Sequence, residues 1–285
     1  MNETEDVTLV QAIEKFASVT CDLSDSDLEI EWSWRAYNEG IRYAMFRTYE
    51  ELRELAAQLI IERTSRGKPI TTAHYSLAQY HAAYRDLQAI LIGIDDNVID
   101  SPPAKDEWPL RIILGHIIAA EREFFARIWH AVNRFREGKE EMVEMDAEEV
   151  TDFVGGYDDF ERTMNRLSIS GIMAFYDSLH KRVLRELTNI RGLELEAPSL
   201  WWEGLPMTVE FRLHRLDSHL RQHTVQIEKT LAALDQSPNE AKRLLRLIYN
   251  ALADVDGVMI GAWTLGKEKR MELAAAIARR ADEIS

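Results

Sequence analysis

Cysteine is almost absent from this sequence. Cys21 is the only one, which excludes a disulfide framework, a CxxC redox pair and a cysteine-built metal knuckle. It stands beside Asp22, Asp25 and Asp27, whose charges raise a thiol pKa, so a nucleophilic role is not expected of it. Basic charge is in deficit: 34 Lys and Arg against 49 Asp and Glu give a formal net charge of −15. The acidic residues are spread along the chain and leave no basic stripe to meet phosphates. Neither nucleic acid nor an anionic membrane is therefore an expected partner. No apolar run approaches the roughly 18 residues of a membrane-spanning helix, and the start M-N-E-T-E-D lacks the basic-then-apolar pattern of a secretory signal. A cytoplasmic protein is the expectation. Glycine is scarce at 13 residues, and alternating β-branched runs bounded by turn residues are missing, so no strand is expected. There is no Gly-rich phosphate loop, no HExxH and no visible Ser-His-Asp set.

What is present is helical periodicity almost throughout. A short helix is expected from Thr8 to Val19. Ser24 and Asp27 form a capping-box pattern at the start of a long helical stretch to Arg66. Trp32, Trp34, Tyr37, Ile41, Phe46, Leu52, Leu55, Leu59 and Ile60 offer it a core, and Arg66-Gly67-Lys68-Pro69 ends it. Four long helices follow, at 73–92, 107–135, 163–191 and 207–234. A loop at 93–106 follows the first. An acidic, solvated link at 136–149 follows the second, and in it Asp146 can cap a short helix. Helices at about 239–260 and 267–284 complete the chain. With 46% hydrophobic content, such a chain buries a sizeable core in one large or two small domains. The expected class is all-α, a four-helix bundle with its ligand site between facing helices.

The chain is organised around the helix at 207–234. Val209, Leu213, Leu216, Leu220, Ile227, Leu231 and Leu234 recur every three or four residues and make one apolar stripe. His219 and His223 are four apart on it, so they project from one face on successive turns. That spacing alone is weak, since two ordinary surface histidines give it too. His116, in W-P-L-R-I-I-L-G-H-I-I-A-A-E, shares a helix face with Ile112, Ile113, Ala119, Ala120 and Glu123. A histidine on that apolar side is either packed in the core through a hydrogen bond or a ligand.

Together W-P-L-R-I-I-L-G-H-I-I-A-A-E and, about a hundred residues later, H-R-L-D-S-H-L-R-Q-H-T-V-Q resemble the DinB/YfiT-like superfamily. The resemblance covers roughly 72–235. It implies a four-helix bundle over 71–236 in which His116, His219 and His223 bind a divalent metal, with zinc or nickel expected first and iron or manganese as alternatives. Residues 1–70 and 237–285 are then N- and C-terminal helical extensions that pad the bundle or form a homodimer contact, and Met45, Phe46, Met259 and Trp263 suit either use. Three neutral imidazoles leave an open coordination position. The resemblance therefore implies a metal-dependent transferase or hydrolase, acting with a low-molecular-weight thiol or a metal-bound water on a small electrophile. A non-catalytic metal-binding bundle, stress-related or partner-binding, is the alternative.

Other polar residues carry two readings each. Arg212, two turns before His219, can bind an anionic substrate or pair with a carboxylate such as Glu121 or Glu123. Glu123 and Gln226 can each hydrogen-bond a liganding histidine. His74 and His81 can point to the bundle centre or to solvent. Trp201 and Trp202 can plug the bundle end or form a substrate lid.

Overall fold

The structure, a computed structural model, describes residues 7–139 and 141–285. Several of its helices begin where a side chain can accept the first free amides. Thr8 caps α1 (Leu9–Thr20) reciprocally with Gln11. Asp146 and Glu149 form the same box on α5 (Ala147–Val154). Ser168, Thr208 and Asn239 cap α7 (Ile169–Leu187), α8 (Val209–Ala233) and α9 (Glu240–Met259). The other helices are α2 (Ile41–Ser65), α3 (Thr72–Ile90), α4 (Leu110–Arg136), α6 (Tyr157–Met164) and α10 (Lys267–Ile284). The described residues are overwhelmingly helical, and the fold is all-α. None of these helices is long and apolar enough to cross a membrane.

Two small hairpins depart from the expectation of no strands. β1 (Glu31–Trp34) pairs with β2 (Tyr37–Gly40), and β3 (Pro198–Leu200) with β4 (Pro206–Thr208), both antiparallel. The first lies inside the stretch expected to be helical from Ser24 onward. Arg35 turns the chain at φ 55°, with its guanidinium 4.4 Å from the centre of the Trp34 ring. Trp34 stacks on Tyr37 across the strands at 6.1 Å. Gly40 is obligatory at the strand end, since a Cβ there would lie 2.4 Å from the Leu28 carbonyl oxygen. Helix α7 also begins later than 163. The chain is broken after α6, and Ser168 accepts the Gly171 amide to start a new helix.

The chain divides into two compact units: Met1–Pro69, Tyr84–Gly93 and Ser237–Ser285 in one, Ile70–Ala83 and Ile94–Gln236 in the other. In the first, α2 lies along α9 and α1 along α10. Phe16, Met45, Leu52, Leu59, Ile248 and Leu252 fill the core between them. Two of its buried guanidinium groups are neutralised by carboxylates. Arg85 pairs with Asp256 at 2.7 Å and Arg280 with Glu51 at 2.9 Å. Met45 and Met259 are buried, whereas Phe46 and Trp263 are exposed. Cys21 is buried, and burial followed by Asp22 pushes its thiol pKa up.

In the second unit, α4 is the central helix, lying against α8, α7, α5 and α6. Ile113, Leu114, Ile117, Ile118, Phe125 and Ile128 of α4 are all buried. A polar group sits inside this apolar core. Glu121 of α4 is 4% exposed and accepts a hydrogen bond from the Tyr176 hydroxyl of α7. Beside it, His180 of α7 packs on Tyr80 of α3 and lies 2.9 Å, Nε2 to Nδ1, from His81. His81 is thus buried with His180 and not exposed to solvent.

Candidate metal centre

Helix α4 presents His116 and the facing α8 presents His219 and His223. The stripes beneath them, Ile113 and Ile117 on α4 and Leu216, Leu220 and Ile227 on α8, are buried and set the rotation of both helices. One ring nitrogen from each histidine lies within 4.8 Å of the other two. Nε2 of His116 and Nε2 of His219 are 3.2 Å apart. The ring centres are 5.1 Å apart for His116 and His219, 4.6 Å for His116 and His223, and 4.5 Å for His219 and His223.

The surroundings favour neutral imidazoles. Burial, then His223, His116 and Arg215, pushes the His219 pKa down to about 3. Burial and His223 lower that of His116. A neutral imidazole keeps one nitrogen lone pair free for a cation. On His223 the free nitrogen is defined by its neighbour: Nδ1 donates to Gln226 Oε1 at 2.8 Å, which leaves Nε2 as the acceptor. Aromatic rings wall the cluster. Trp108 meets His116 edge-on at 5.3 Å, and Phe124 meets His219 at the same distance. Trp201 is buried against Phe124 at 4.9 Å, while Trp202 is exposed.

This donor set fits a divalent cation. Two nitrogens bound to one ion at about 2.1 Å with tetrahedral angles stand about 3.4 Å apart, close to the 3.2 Å between His116 and His219. Facing nitrogens at that distance share one hydrogen bond at most, so a cation satisfies more of the cluster than protons do.

Two cavities open beside the triad. One, about 500 Å³, is lined by His116, Arg122, Glu123, Arg127, Thr151 and Tyr157 among others. The second, about 450 Å³, is lined by Trp108, His223, Gln226, Lys229, Asp106 and Glu107 among others.

Of the remaining residues singled out in the sequence, Gln226 does touch a histidine of the triad. Glu123 is turned to Arg127, 3.3 Å away. Arg212 is buried, pairs with Glu203, donates to the Leu205 carbonyl at 3.0 Å and stacks on Trp201 at 4.1 Å. Those partners belong to the β3–β4 hairpin and its flanks, and Arg212 lines neither cavity. His74 lies against the Thr188 carbonyl at 3.1 Å. Glu121, named in the sequence as a possible partner of Arg212, bonds Tyr176 instead. Sequence reasoning missed His180 and Arg122, because a charged or polar residue within a helix shows its burial only when the packing partner is known.

No curated protein and no solved structure matches this chain. The sequence pattern of the DinB superfamily matches residues 79–227, a span that includes His116, His219 and His223 and the helices that carry them. That is more than half of the 285 residues, and the chain belongs to the DinB superfamily.

Proposed function

We propose that this protein is a divalent-metal-dependent transferase that joins a low-molecular-weight thiol to a small electrophile, with hydrolysis by water as the simpler reaction of the same site. His116, His219 and His223 hold the ion, zinc or nickel in the first instance and iron or manganese as alternatives. Such an ion supplies a positive charge that lowers the pKa of a thiol or water reaching it. The supporting observation is that three clustered imidazoles lie beside two cavities, one lined by His116 and the other by His223. A transferase needs room for two substrates, a hydrolase for one, and a purely structural ion for none.

The chain's own groups do the rest. Gln226 holds the His223 ring so that Nε2 faces the cluster. Trp108 and Phe124 shield the imidazoles from bulk water. Asp106, Glu107 and Lys229 offer both signs of charge to a polar thiol in the second cavity. Arg212 stays with Glu203 in this reading. In the reaction, sulfur forms a bond to the carbon bearing the leaving group. That group departs with its bonding pair, and the thiol proton passes to solvent.

The test begins with elemental analysis of the purified protein. Metal-loaded protein is then incubated with 1-chloro-2,4-dinitrobenzene and a panel of cellular thiols, and conjugate formation is followed. We expect metal-dependent turnover with one or more thiols, and its loss in His219→Ala. Rates equal to buffer for loaded and metal-free protein across all thiols, with no ester or amide hydrolysis, would leave a non-catalytic metal-binding bundle as the better reading.

A further inference from the structure

Six arginines of the described residues are at most 9% exposed: Arg63, Arg85, Arg122, Arg127, Arg212 and Arg280. Four of them pair with carboxylates, Arg85 with Asp256, Arg127 with Glu123 and Glu144, Arg212 with Glu203, and Arg280 with Glu51. Arg63 spends all three nitrogens on backbone carbonyls, those of Lys68, Pro69, Val258 and Ile260. Arg122 does neither. Its Nη2 alone is engaged, donating to the carbonyls of Val154 at 2.8 Å and Gly155 at 2.7 Å, where α5 ends. Nε and Nη1 have no partner among the described residues. Glu123, its neighbour in sequence, is held by Arg127.

A guanidinium that is 6% exposed with no carboxylate bonded to it, Glu123 acting on it only through space, is costly, and cores normally neutralise such a group or remove it. Arg122 is also held in place, with its guanidinium carbon 4.5 Å from the centre of the Phe160 ring. It lines the cavity of about 500 Å³ that His116 also lines. The two residues are six apart on α4, about 9 Å along the helix axis. Nη2 is common to both forks of the guanidinium and is spent on the end of α5, so a carboxylate in the cavity is received through a single charge-assisted hydrogen bond from Nε or Nη1.

Building on the transferase reading, we propose that the electrophile this cavity takes carries a carboxylate or similar anionic group, and that Arg122 binds that group. The electrophile is then oriented with its anion at Arg122 and its reacting carbon toward the triad. Thr151 and Tyr157, which line the same cavity, offer hydroxyls to its remaining polar atoms.

The test uses benzoate and its neutral isostere benzamide as probes, with affinities measured by calorimetry on the full-length protein stripped of metal, so that a carboxylate cannot bind an ion instead. Benzoate should bind wild-type protein about tenfold more tightly than benzamide or better. Arg122→Gln should bring the two affinities together, and Arg122→Lys should keep part of the preference. Because Arg122 also holds the end of α5, circular dichroism checks each variant. Thr151→Trp, which fills the cavity and leaves Arg122 in place, should abolish benzoate binding independently. Equal affinity for the two probes in wild-type protein overturns the proposal, as does a preference that survives in folded Arg122→Gln or in Thr151→Trp. The measurement needs neither metal nor turnover. Loss of the charge preference therefore leaves the transferase reading standing, and absence of turnover leaves the preference standing.

Discussion

Replacing Glu121 by glutamine removes an ionisable group from the middle of the bundle and leaves an amide that can still accept from Tyr176. Burial pushes the Glu121 pKa from 4.5 up to about 8, only partly offset by hydrogen bonds from Tyr176 and Tyr80. The sign follows from proton counting. Below pH 4.5 both folded and unfolded chains hold the proton, and the group has no effect on stability. Above it the unfolded chain releases the proton while the folded chain keeps it, so stability falls as pH rises, until the folded group also ionises near pH 8. Each pH unit inside that window costs about 1.4 kcal/mol, and the curve flattens near its upper end. From pH 6 to pH 8 the loss due to Glu121 is therefore about 2 kcal/mol. Urea titrations at fixed pH, read by hydrogen–deuterium exchange of α4 peptides, report on the unit that contains the residue. The expected result is a wild-type stability that falls over this range by about 2 kcal/mol more than that of Glu121→Gln. Parallel pH dependences for the two proteins would refute a buried, protonated Glu121.

Further expectations concern the triad and one buried, ion-paired carboxylate. Chelation should lower the melting temperature of metal-containing wild-type protein but not of His219→Ala or His223→Ala, because only an ion bound to the folded state stabilises it; equal melting curves with and without chelator argue against a bound ion. Gln226→Leu, by freeing the His223 ring, should weaken metal affinity about tenfold or more in competition with a chromogenic chelator, and an unchanged affinity would show that the hydrogen bond does not orient the ligand. Arg136, helped by the Arg191 backbone amide and side chain, holds the pKa of buried Glu194 down to about 2. Stability from this group is fully present above pH 4.5 and is lost as pH falls from there toward 2. Glu194→Gln should therefore be less stable than wild type at pH 7, with the gap closing in acid melts. A gap that stays constant down to pH 2 would contradict the assignment.

The legible parts of the molecule are those written in local periodicity. Leu213, Leu216, Leu220 and Ile227 on α8, and Ile113 and Ile117 on α4, repeat at helical spacing and are buried, so the four long helices could be read to within a few residues at most ends. The four-residue spacing of His219 and His223 is weak by itself and His116 reads equally as a core histidine, so the resemblance to the DinB superfamily, and not periodicity, joins the three. The hairpin at 31–40 could not. β1 alternates, with Trp32 buried between exposed Glu31 and Ser33, but over only four residues, and β2 is largely exposed and carries no inside–outside alternation. What forms it is a chain reversal at Arg35 and aromatic contacts among Trp34, Tyr37 and Tyr43. Arg122 was hidden for another reason. It reads as one more charge on a long helix, and only the approach of α5 and Phe160 makes it a buried fork.

Helix α4 joins these observations. His116 and Glu121 are five residues apart, which turns their side chains about 140° from one another around the axis. The helix is stiff, so the two cannot be oriented independently. A slip of α4 that broke the bond from Tyr176 to Glu121 would also swing His116 away from His219 and His223. Apolar contacts alone tolerate small rotations, because one aliphatic side chain replaces another at little cost. A buried hydrogen bond does not, since misalignment leaves both partners unsatisfied in a medium that cannot solvate them. The protonated carboxyl on the α7 side of α4 therefore sharpens the rotation that the apolar stripe sets, and the imidazole on the α8 side receives the consequence. Arg122, the residue after Glu121, follows the same logic, and its two bonds to the end of α5 tie one wall of the cavity to the helix that supplies His116. The placement of the donor atoms thus rests on the apolar stripes of α4 and α8 together with the buried polar contacts around α4.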